Sequence, residues 1–524
     1  MKLKDHYDWV VLGDHPAALL SGNLMASLGF SVLILPTQSP FTSRLSRSGQ
    51  CFDPESNLVP GLVRAASQGA GTGVLARCLG RVGIAVQNGP VFDLSPYAVA
   101  ELIGTDFRFP VQRDLARLRT GLISEFGAND ASVDAWMQRL SLSDQETFDY
   151  WKKTLTKPAR IARPLVERFF RGTPYALGPA SKKHDKVLRP DRFIGEHGSQ
   201  FLATLLAQGV GLAPGKTMSA RDWPSALAWL RSSGRVRGGL TAFRQFLFSN
   251  ARTLGAMVPA EVVCRKIFIE KGRWVGIQVS QHGRIVSVGG GLLGEGLSEA
   301  YRLAHFSQAP TYRKLKPIPE PSAWIMTAAF SVHEEVLPPG ASSRIIWSDG
   351  SAWPIEIETA DPTEYRLGPS KERLIFARVQ VPWSAHTLEP AFQRQLFSRL
   401  FTQLCQIFPF LEYHVVRVFP DFRKPLVPPP QSDDEVEYRG DASSEFQEAF
   451  PFRKLEDIPI QLRVYDGRGI GYRSGVKGLY VASKESAPEL GFWGPYVGAL
   501  RSCVAFARES GLMNEGLRAD IWDF

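Results

Sequence analysis

Long apolar runs are missing from this sequence. None approaches the roughly 18 residues that a membrane-spanning helix requires, so we predict no transmembrane helix. The short apolar stretch after Lys2 and Lys4 is interrupted at Asp14, and no small-residue cleavage site follows it, which is not the pattern of a secretory signal. We therefore expect a cytoplasmic protein.

Cysteine is scarce, with five residues in a chain of 524, and no C-x-x-C pair occurs. An odd number of scattered cysteines is typical of buried free thiols, so neither a disulfide framework nor a zinc site is predicted. The nine histidines form no H-E-x-x-H motif, and we expect no metal. Zinc-finger and RNP-like motifs are also missing, so nucleic acid is not an expected partner despite a net charge of +9.

What the chain does have is an ordinary globular composition, 44% hydrophobic and 22% charged, with enough length for two or three domains. Its first 35 residues predict a strand at 8–12, an apolar helix through Leu28 and a second strand at 31–35. This order predicts a βαβ unit that opens a parallel sheet.

The rest of the chain continues as an alternation of helical and strand-forming patterns. Alternating apolar residues over 320–385 predict an antiparallel sheet. The other predicted elements are a helix over 62–82 with a break at its glycines, mostly helical structure over 111–230, a helix from Gly238 to Leu254 followed by strands within 262–288, a helix at about 389–406, a Pro-rich and acidic loop over 424–450, and a closing strand at 478–482 before a helix at about 494–510.

Two glycine-rich stretches resemble phosphate cradles only superficially. Gly69, Gly71 and Gly73 follow no predicted strand, so we interpret them as a loop or helix break. The stretch 289–294 satisfies G-x-G-x-x-G, but we predict that Leu292 and Leu293 lie in the core of a strand rather than at a second nucleotide site.

Four segments together resemble the phytoene desaturase and amine oxidase group of FAD-dependent oxidoreductases. They are the opening βαβ unit (V-V-L-G13 to G29-F-S-V32-L-I-L), the run from Arg44 through G49-Q-C-F-D53, the run G238-G-L to G276-I, and the closing run from G478-L-Y-V-A through P488-E-L-G491-F-W-G494 to Ala505. The resemblance implies the α/β class, with a Rossmann-like FAD-binding domain assembled from discontinuous segments and an α+β substrate domain that contains an antiparallel sheet and helices.

The resemblance also implies domain boundaries and cofactor positions. The FAD-type domain would comprise residues 1–110, 238–310 and 466–524, with a mainly helical, substrate- or membrane-facing region at 111–237 and the substrate domain at 311–465. The cofactor-binding positions that it implies are Gly13, His15, Ala17, Ala18, Arg44, Val263, Glu485, Gly491 and Gly494. No catalytic acid, base or nucleophile can be assigned from the sequence.

The flavin-binding motifs are degenerate at several of these positions. A dinucleotide turn uses G-x-G-x-x-G so that a diphosphate can approach the helix N-terminus, and an acid after the second strand binds a ribose. Here His15 takes the second glycine position, Ala18 takes the third, and Pro36 takes the position of the acid. Thr42 and Ser43 replace the glycines before Arg44. Either a protonated His15 meets a phosphate, or the turn is a helix start that binds nothing.

A basic and apolar segment lies over 151–171, with further lysines up to Lys186. It is either a solvated helix that packs its apolar face inward or a surface for an anionic membrane or acidic partner, although Pro158 and Pro164 interrupt any continuous helix. Peripheral membrane association through 151–186 therefore stays an open expectation.

Two functions remain open from the sequence. The first is a divergent FAD-dependent oxidoreductase that transfers hydride between the flavin and an apolar substrate such as a polyene, prenyl or retinoid-like chain. The alternative is a cofactor-less pseudo-oxidoreductase that acts as a binding or scaffold protein for a protein partner, because His15, Pro36 and Thr42 depart together from the flavin motif. Whether the chain is an enzyme is left undecided.

Overall fold

The structure is a computed structural model. It describes residues 3–35, 45–47, 50–52, 55–64, 69–70, 73–86, 91–94, 98–127, 131, 133–142, 145, 202–212, 223–259, 262–304, 315–338, 341–350, 353–360, 372–384, 386–419, 463–465 and 469–511. The basic segment 151–186, the loop 424–450, and Pro36, Thr42, Ser43 and Arg44 lie outside the described residues.

The described strands fall into two large sheets and three small ones. In chain order they are β1 (His6–Leu12), β2 (Val32–Leu35), β3 (Leu45–Arg47), β4 (Gln50–Phe52), β5 (Leu58–Val59), β6 (Val63–Arg64), β7 (Gly69–Ala70), β8 (Phe92–Asp93), β9 (Ala100–Ile103), β10 (Arg108–Val111), β11 (Gly234–Val236), β12 (Cys264–Glu270), β13 (Arg273–Val279), β14 (Ile285–Leu293), β15 (Ala323–His333), β16 (Arg344–Trp347), β17 (Ile355–Ala360), β18 (Glu372–Pro382), β19 (Val415–Phe419), β20 (Arg463–Val464) and β21 (Leu479–Val481).

The helices whose bounds the structure defines connect and cover these strands. They are α1 (Pro16–Ser27), α2 (Val74–Arg81), α3 (Leu115–Phe126), α4 (Trp223–Ser232), α5 (Gly239–Thr253), α6 (Leu297–Leu303), α7 (Pro390–Ile407), α8 (Leu411–His414) and α9 (Gly494–Glu509), with a 3₁₀ segment at Pro488–Trp493 immediately before α9. Residues 133–142 and 202–209 are also helical. No helix among the described residues is long and apolar enough to cross a bilayer.

The six-stranded sheet brings together three distant parts of the chain. Its order is β12-β13-β14-β1-β2, and β21 pairs with β14. Strand β1 runs parallel to both β2 and β14, and β14 runs parallel to β21. All of β2 and most of β1 are buried, as expected of parallel strands that are covered on both faces. The predicted opening βαβ unit and the closing strand are therefore confirmed.

Helix α1 packs against α5 and α9 on one side of this sheet. Gly22 allows the close approach to the strands, because a Cβ there would lie 2.7 Å from Ile34 Cδ1. Asn23 Nδ2 donates to the Leu247 carbonyl at 3.1 Å and so ties α1 to α5. The middle of α1 is therefore packed against β2 and α5, and α9 also contacts the helix.

The second large sheet has eight strands in the order β10-β9-β16-β17-β18-β15-β19, with β20 paired to β15. The predicted antiparallel sheet over 320–385 is confirmed, since β15 to β18 pair antiparallel. One face packs its apolar side chains against α7. The other face carries the buried side chains of Arg344, Glu356, Glu358 and Arg378.

The two glycine-rich stretches differ in how well their predicted structure agrees with the observed one. The stretch 289–294 ends strand β14, and Leu292 and Leu293 are buried, as predicted. The helix predicted over 62–82 is wrong in its first half: β6 and β7 form a short hairpin, and α2 begins only at Val74. The physical reason is a close backbone contact between Gly73 and Gly61, where a Cβ on Gly73 would overlap the Gly61 carbonyl. A continuous helix between these two residues would hold them far apart.

Candidate functional site

The turn between β1 and α1 is tight and depends on Gly13. Gly13 has a φ of 122°, and a Cβ there would lie 3.1 Å from Gly294 Cα. Its N–H donates to the Leu35 carbonyl at 3.0 Å, while Gly294 N–H donates to the Leu12 carbonyl at 2.7 Å. The first glycine of the predicted turn thus has the structural role expected of it.

His15 is the N-cap residue of α1. Its Nδ1 accepts a hydrogen bond from the Ala17 N–H at 3.1 Å, and Pro16 occupies the first helical position. The ring also lies edge-on to Tyr496, with centroids 6.1 Å apart. In this arrangement the imidazole takes a backbone donor that a bound phosphate would otherwise use.

Ala18 shows how the third position of the motif is satisfied without glycine. Both Ala17 and Ala18 are fully buried. A Cβ on Gly294 would lie 2.8 Å from the Ala18 methyl group. The close helix–strand approach is therefore kept, but the glycine that permits it lies on β14's side of the contact rather than in the helix.

A carboxylate lies beside this turn. Glu55 Oε1 is 2.9 Å from Lys484 Nζ, and Glu55 Oε2 is 4.0 Å from His15 Nε2. Burial alone would raise the pKa of Glu55, but Lys484, His15 and Arg244 together lower it to about 2. Sequence reasoning missed both residues: no motif near Glu55 in the chain marks it, and Lys484 is marked only by standing next to the predicted Glu485.

Arg244 adds a third basic group to the turn from α5. Its Nε donates to the Asp14 carbonyl at 2.9 Å and lies 3.9 Å from Asp14 Oδ1. Arg244 is buried, so its charge is poorly screened by solvent. Together with Lys484, it places two cationic side chains at the N-terminal end of α1, where the carboxylates of Glu55 and Asp14 oppose them.

Glu485, although next to Lys484, faces a different element. Its carboxylate accepts the N–H of Leu297 at the start of α6. Burial raises its pKa to about 7, and the hydrogen bond from Leu297 opposes that shift. The structure therefore joins Lys484, and not the predicted Glu485, to the turn at His15.

Gly491 and Gly494 are required by close backbone contacts within the chain. A Cβ on Gly491, whose φ is 53°, would overlap the Val210 carbonyl oxygen, and a Cβ on Gly494 would overlap the Ala487 carbonyl oxygen. Phe492 N–H donates to the Val210 carbonyl at 3.1 Å. These contacts account for both glycines without a cofactor.

Val263 uses its backbone groups in the chain's own sheet. Its N–H donates to Ser280 Oγ at 3.1 Å, and its carbonyl accepts the Ser280 N–H at 2.9 Å. Of the predicted cofactor positions, the structure therefore brings Gly13, His15, Ala17 and Ala18 together at one turn, while the contacts of Val263 and Glu485 lie elsewhere.

An aromatic cluster lies at the start of α9. The rings of Trp229 and Trp493 have centroids 4.9 Å apart, and Trp493 stacks on Tyr496 at 6.0 Å. Because Tyr496 also contacts His15, the cluster adjoins the turn. Among the described residues no group of three or more His, Cys, Asp or Glu side chains is arranged to hold a metal ion.

The donor set fits a diphosphate in charge. A helix N-terminus and three basic side chains converge where this type of turn binds phosphates. The Glu55 carboxylate now meets two of those side chains, and the His15 ring takes the first free backbone donor. In charge, a diphosphate could replace Glu55 beside Lys484 and Arg244 if the His15 ring turned away from Ala17, while Asp14 and Glu295 stayed at the turn.

In fold, the chain resembles solved structures of an oxidoreductase and an oxidase. It is similar to an oxidoreductase from Methanosarcina mazei, with a TM-score of 0.54 and 14% identity over 93% of this chain and 98% of that one. It is also similar to a putrescine oxidase triple mutant, with a TM-score of 0.50 and 14% identity over 97% and 99% of the two chains. No protein-family model and no curated protein sequence matches the chain.

Proposed function

We propose that this protein is a divergent flavin-dependent oxidoreductase. The observation that carries the proposal is the convergence of His15, Arg244 and Lys484 on the N-terminus of α1 within an oxidoreductase fold. FAD would be held there by its diphosphate, and the flavin, when bound, would supply hydride transfer to or from the substrate. The FAD-type domain would be built from residues 1–110, 238–310 and 466–524.

The proposed substrate is an apolar small molecule such as a polyene, prenyl or retinoid-like chain. The support for this class is the sequence resemblance, because the aromatic cluster of Trp229, Trp493 and Tyr496 beside the turn is buried in the core. The substrate domain would comprise residues 311–465, with the helical region at 111–237 beside it. Contact of residues 151–186 with an anionic membrane stays a proposal, which flotation with anionic and neutral vesicles would test.

The test of flavin binding is direct. The purified protein is scanned for the visible absorbance of oxidised flavin, and then titrated with FAD while flavin fluorescence is followed. Binding near one FAD per chain is expected. No flavin as purified and no uptake of added FAD at any concentration would overturn the proposal.

A second function is favoured by one specific observation. The His15 ring already occupies the Ala17 N–H, which supports a cofactor-free binding or scaffold protein that keeps only the fold. The discriminating variant combines His15→Gly with Pro36→Glu, which restores a glycine and an acid to the motif. Flavin bound only by this double variant would support the cofactor-free protein, whereas flavin bound by the unaltered protein would contradict it.

A further inference from the structure

Glu55 is anchored by its main chain and not only by its carboxylate. Arg378 Nη2 donates to the Glu55 carbonyl at 2.8 Å, and Arg378 in turn pairs with Glu358 at 2.8 Å. The N–H of Asn57 also donates to Glu358 Oε2 at 3.2 Å. The backbone near Glu55 is thus fixed to the eight-stranded sheet, so that only the side chain needs to rotate for its carboxylate to leave the turn.

Of the basic groups around Glu55, Lys484 is paired with it directly at 2.9 Å, and Arg244 acts on it at longer range. Lys484 has less than a fifth of its side chain exposed, and Arg244 is more deeply buried. Removing a carboxylate from such a pair leaves a poorly solvated cation, which strongly favours a replacement anion. Two other carboxylates lie at the turn: Asp14, whose Oδ1 is 3.9 Å from Arg244, and Glu295, whose Oε1 accepts the Asp14 N–H at 3.4 Å.

We infer that the Glu55 carboxylate is an internal stand-in for a nucleotide diphosphate, and that Lys484, Arg244 and His15 bind the diphosphate when Glu55 rotates away. The inference rests on the proposed function in that the diphosphate is taken to be that of FAD. Glu55 therefore competes with the nucleotide and lowers its affinity. The site therefore has two arrangements. In the closed one the Glu55 carboxylate neutralises the chain's own cations, and in the open one Glu55 has rotated away and the nucleotide can bind.

The inference is tested by binding of three probes to the full chain. ADP and FAD carry the diphosphate, and riboflavin does not. Glu55→Gln is expected to bind ADP and FAD at least about tenfold more tightly than the unaltered protein, because a competing charge is removed, with riboflavin affinity unchanged. Adding Lys484→Met to Glu55→Gln is expected to reverse the gain. Glu334→Gln, which neutralises a carboxylate paired with Arg373 in the eight-stranded sheet, is the matched control and is expected to change nothing.

Each outcome separates the inference from the proposed function. Equal or weaker ADP and FAD binding by Glu55→Gln overturns the inference, even where the unaltered protein binds FAD. Tighter ADP binding without any FAD binding supports the inference and contradicts the flavin proposal. If Glu55→Gln does not fold, Glu55→Asp keeps the charge but shortens its reach to Lys484. That variant is then expected to bind ADP more tightly than the unaltered protein, and unchanged binding overturns the inference.

Discussion

At the scale of single residues, the turn at Gly13 shows that losing a motif glycine has different effects at different positions. Ala18 keeps the helix close to β14 because Gly294 supplies the missing space. His15 has no such compensation, and its ring instead becomes the cap of α1. The sequence correctly indicated which positions depart from the motif, but it could not indicate that one departure is neutral and the other fills the site.

The cap makes His15 a contributor to stability. Replacing it with alanine removes the acceptor for the Ala17 N–H and is expected to lower the free energy of unfolding by roughly 0.5–2 kcal/mol. His15→Asn supplies another short acceptor and is expected to recover most of that loss. Urea denaturation of both variants measures the difference, and an equal loss in the two would show that the cap contributes nothing.

Glu485 predicts a pH dependence of stability. Its pKa is raised by burial from 4.5 to about 7, so between these values the folded chain holds a proton that the unfolded chain has released. The contribution of Glu485 to the free energy of unfolding is fully present below pH 4.5. It falls by about 3 kcal/mol as the pH rises to about 7. Glu485→Gln is expected to flatten this part of the profile and to be more stable than the unaltered protein above pH 7. Parallel profiles of the two proteins across this range would contradict the assignment.

At the scale of elements, the sequence predicted well wherever local pattern decides the structure. The strand at 8–12, the helix after it and the strand at 31–35 follow from apolar runs punctuated by Gly13 and Gly29. The sequence predicted poorly where a long-range contact decides the local structure, as at Gly73. Its close approach to Gly61 is compatible with the observed hairpin between them and not with a helix. The closing glycines were assigned to the cofactor by resemblance; backbone contacts also require each of them to be glycine, and the cofactor assignment stays a prediction.

The contact between the 3₁₀ segment before α9 and residues near 210 depends on Gly491. Gly491→Ala is expected to lower the free energy of unfolding by roughly 2–5 kcal/mol, because it combines a positive φ with overlap on the Val210 carbonyl. Gly255→Ala is the matched control: its φ of 86° is also positive, but nothing lies within 4 Å of the added methyl, so about 1–2 kcal/mol is expected. Thermal and urea unfolding compare them, and equal losses would exclude a role for the Val210 contact.

At the scale of the whole molecule, the candidate site could not be assembled from the sequence. Gly13 and His15 are visible as a turn, but Glu55, Arg244 and Lys484 come from three distant segments whose meeting depends on how the sheets pack. The charges on the inner face of the eight-stranded sheet are equally invisible in the alternating pattern of β17, where Glu356 and Glu358 look like solvent-facing residues. Burial of that face against the segments at 55–57 and 209 turns these charges into anchors that hold the two segments on the eight-stranded sheet.

Arg378 is the central residue among these charges, and its contribution to the free energy of unfolding can be measured. Its guanidinium pairs with Glu358 at 2.8 Å, lies 4.0 Å from Glu356 and holds the Glu55 carbonyl, all out of contact with solvent. Arg378→Met leaves Glu358 charged and buried without its partner, and a loss of about 3–5 kcal/mol is expected. In the double variant Arg378→Met with Glu358→Leu both charges are gone, so most of that loss is recovered, except for about 1–3 kcal/mol from the orphaned Asn57 N–H and Glu55 carbonyl. A double-mutant cycle by urea denaturation gives the coupling energy between Arg378 and Glu358. If the double variant loses as much stability as the two single variants together, the pair is not coupled as described.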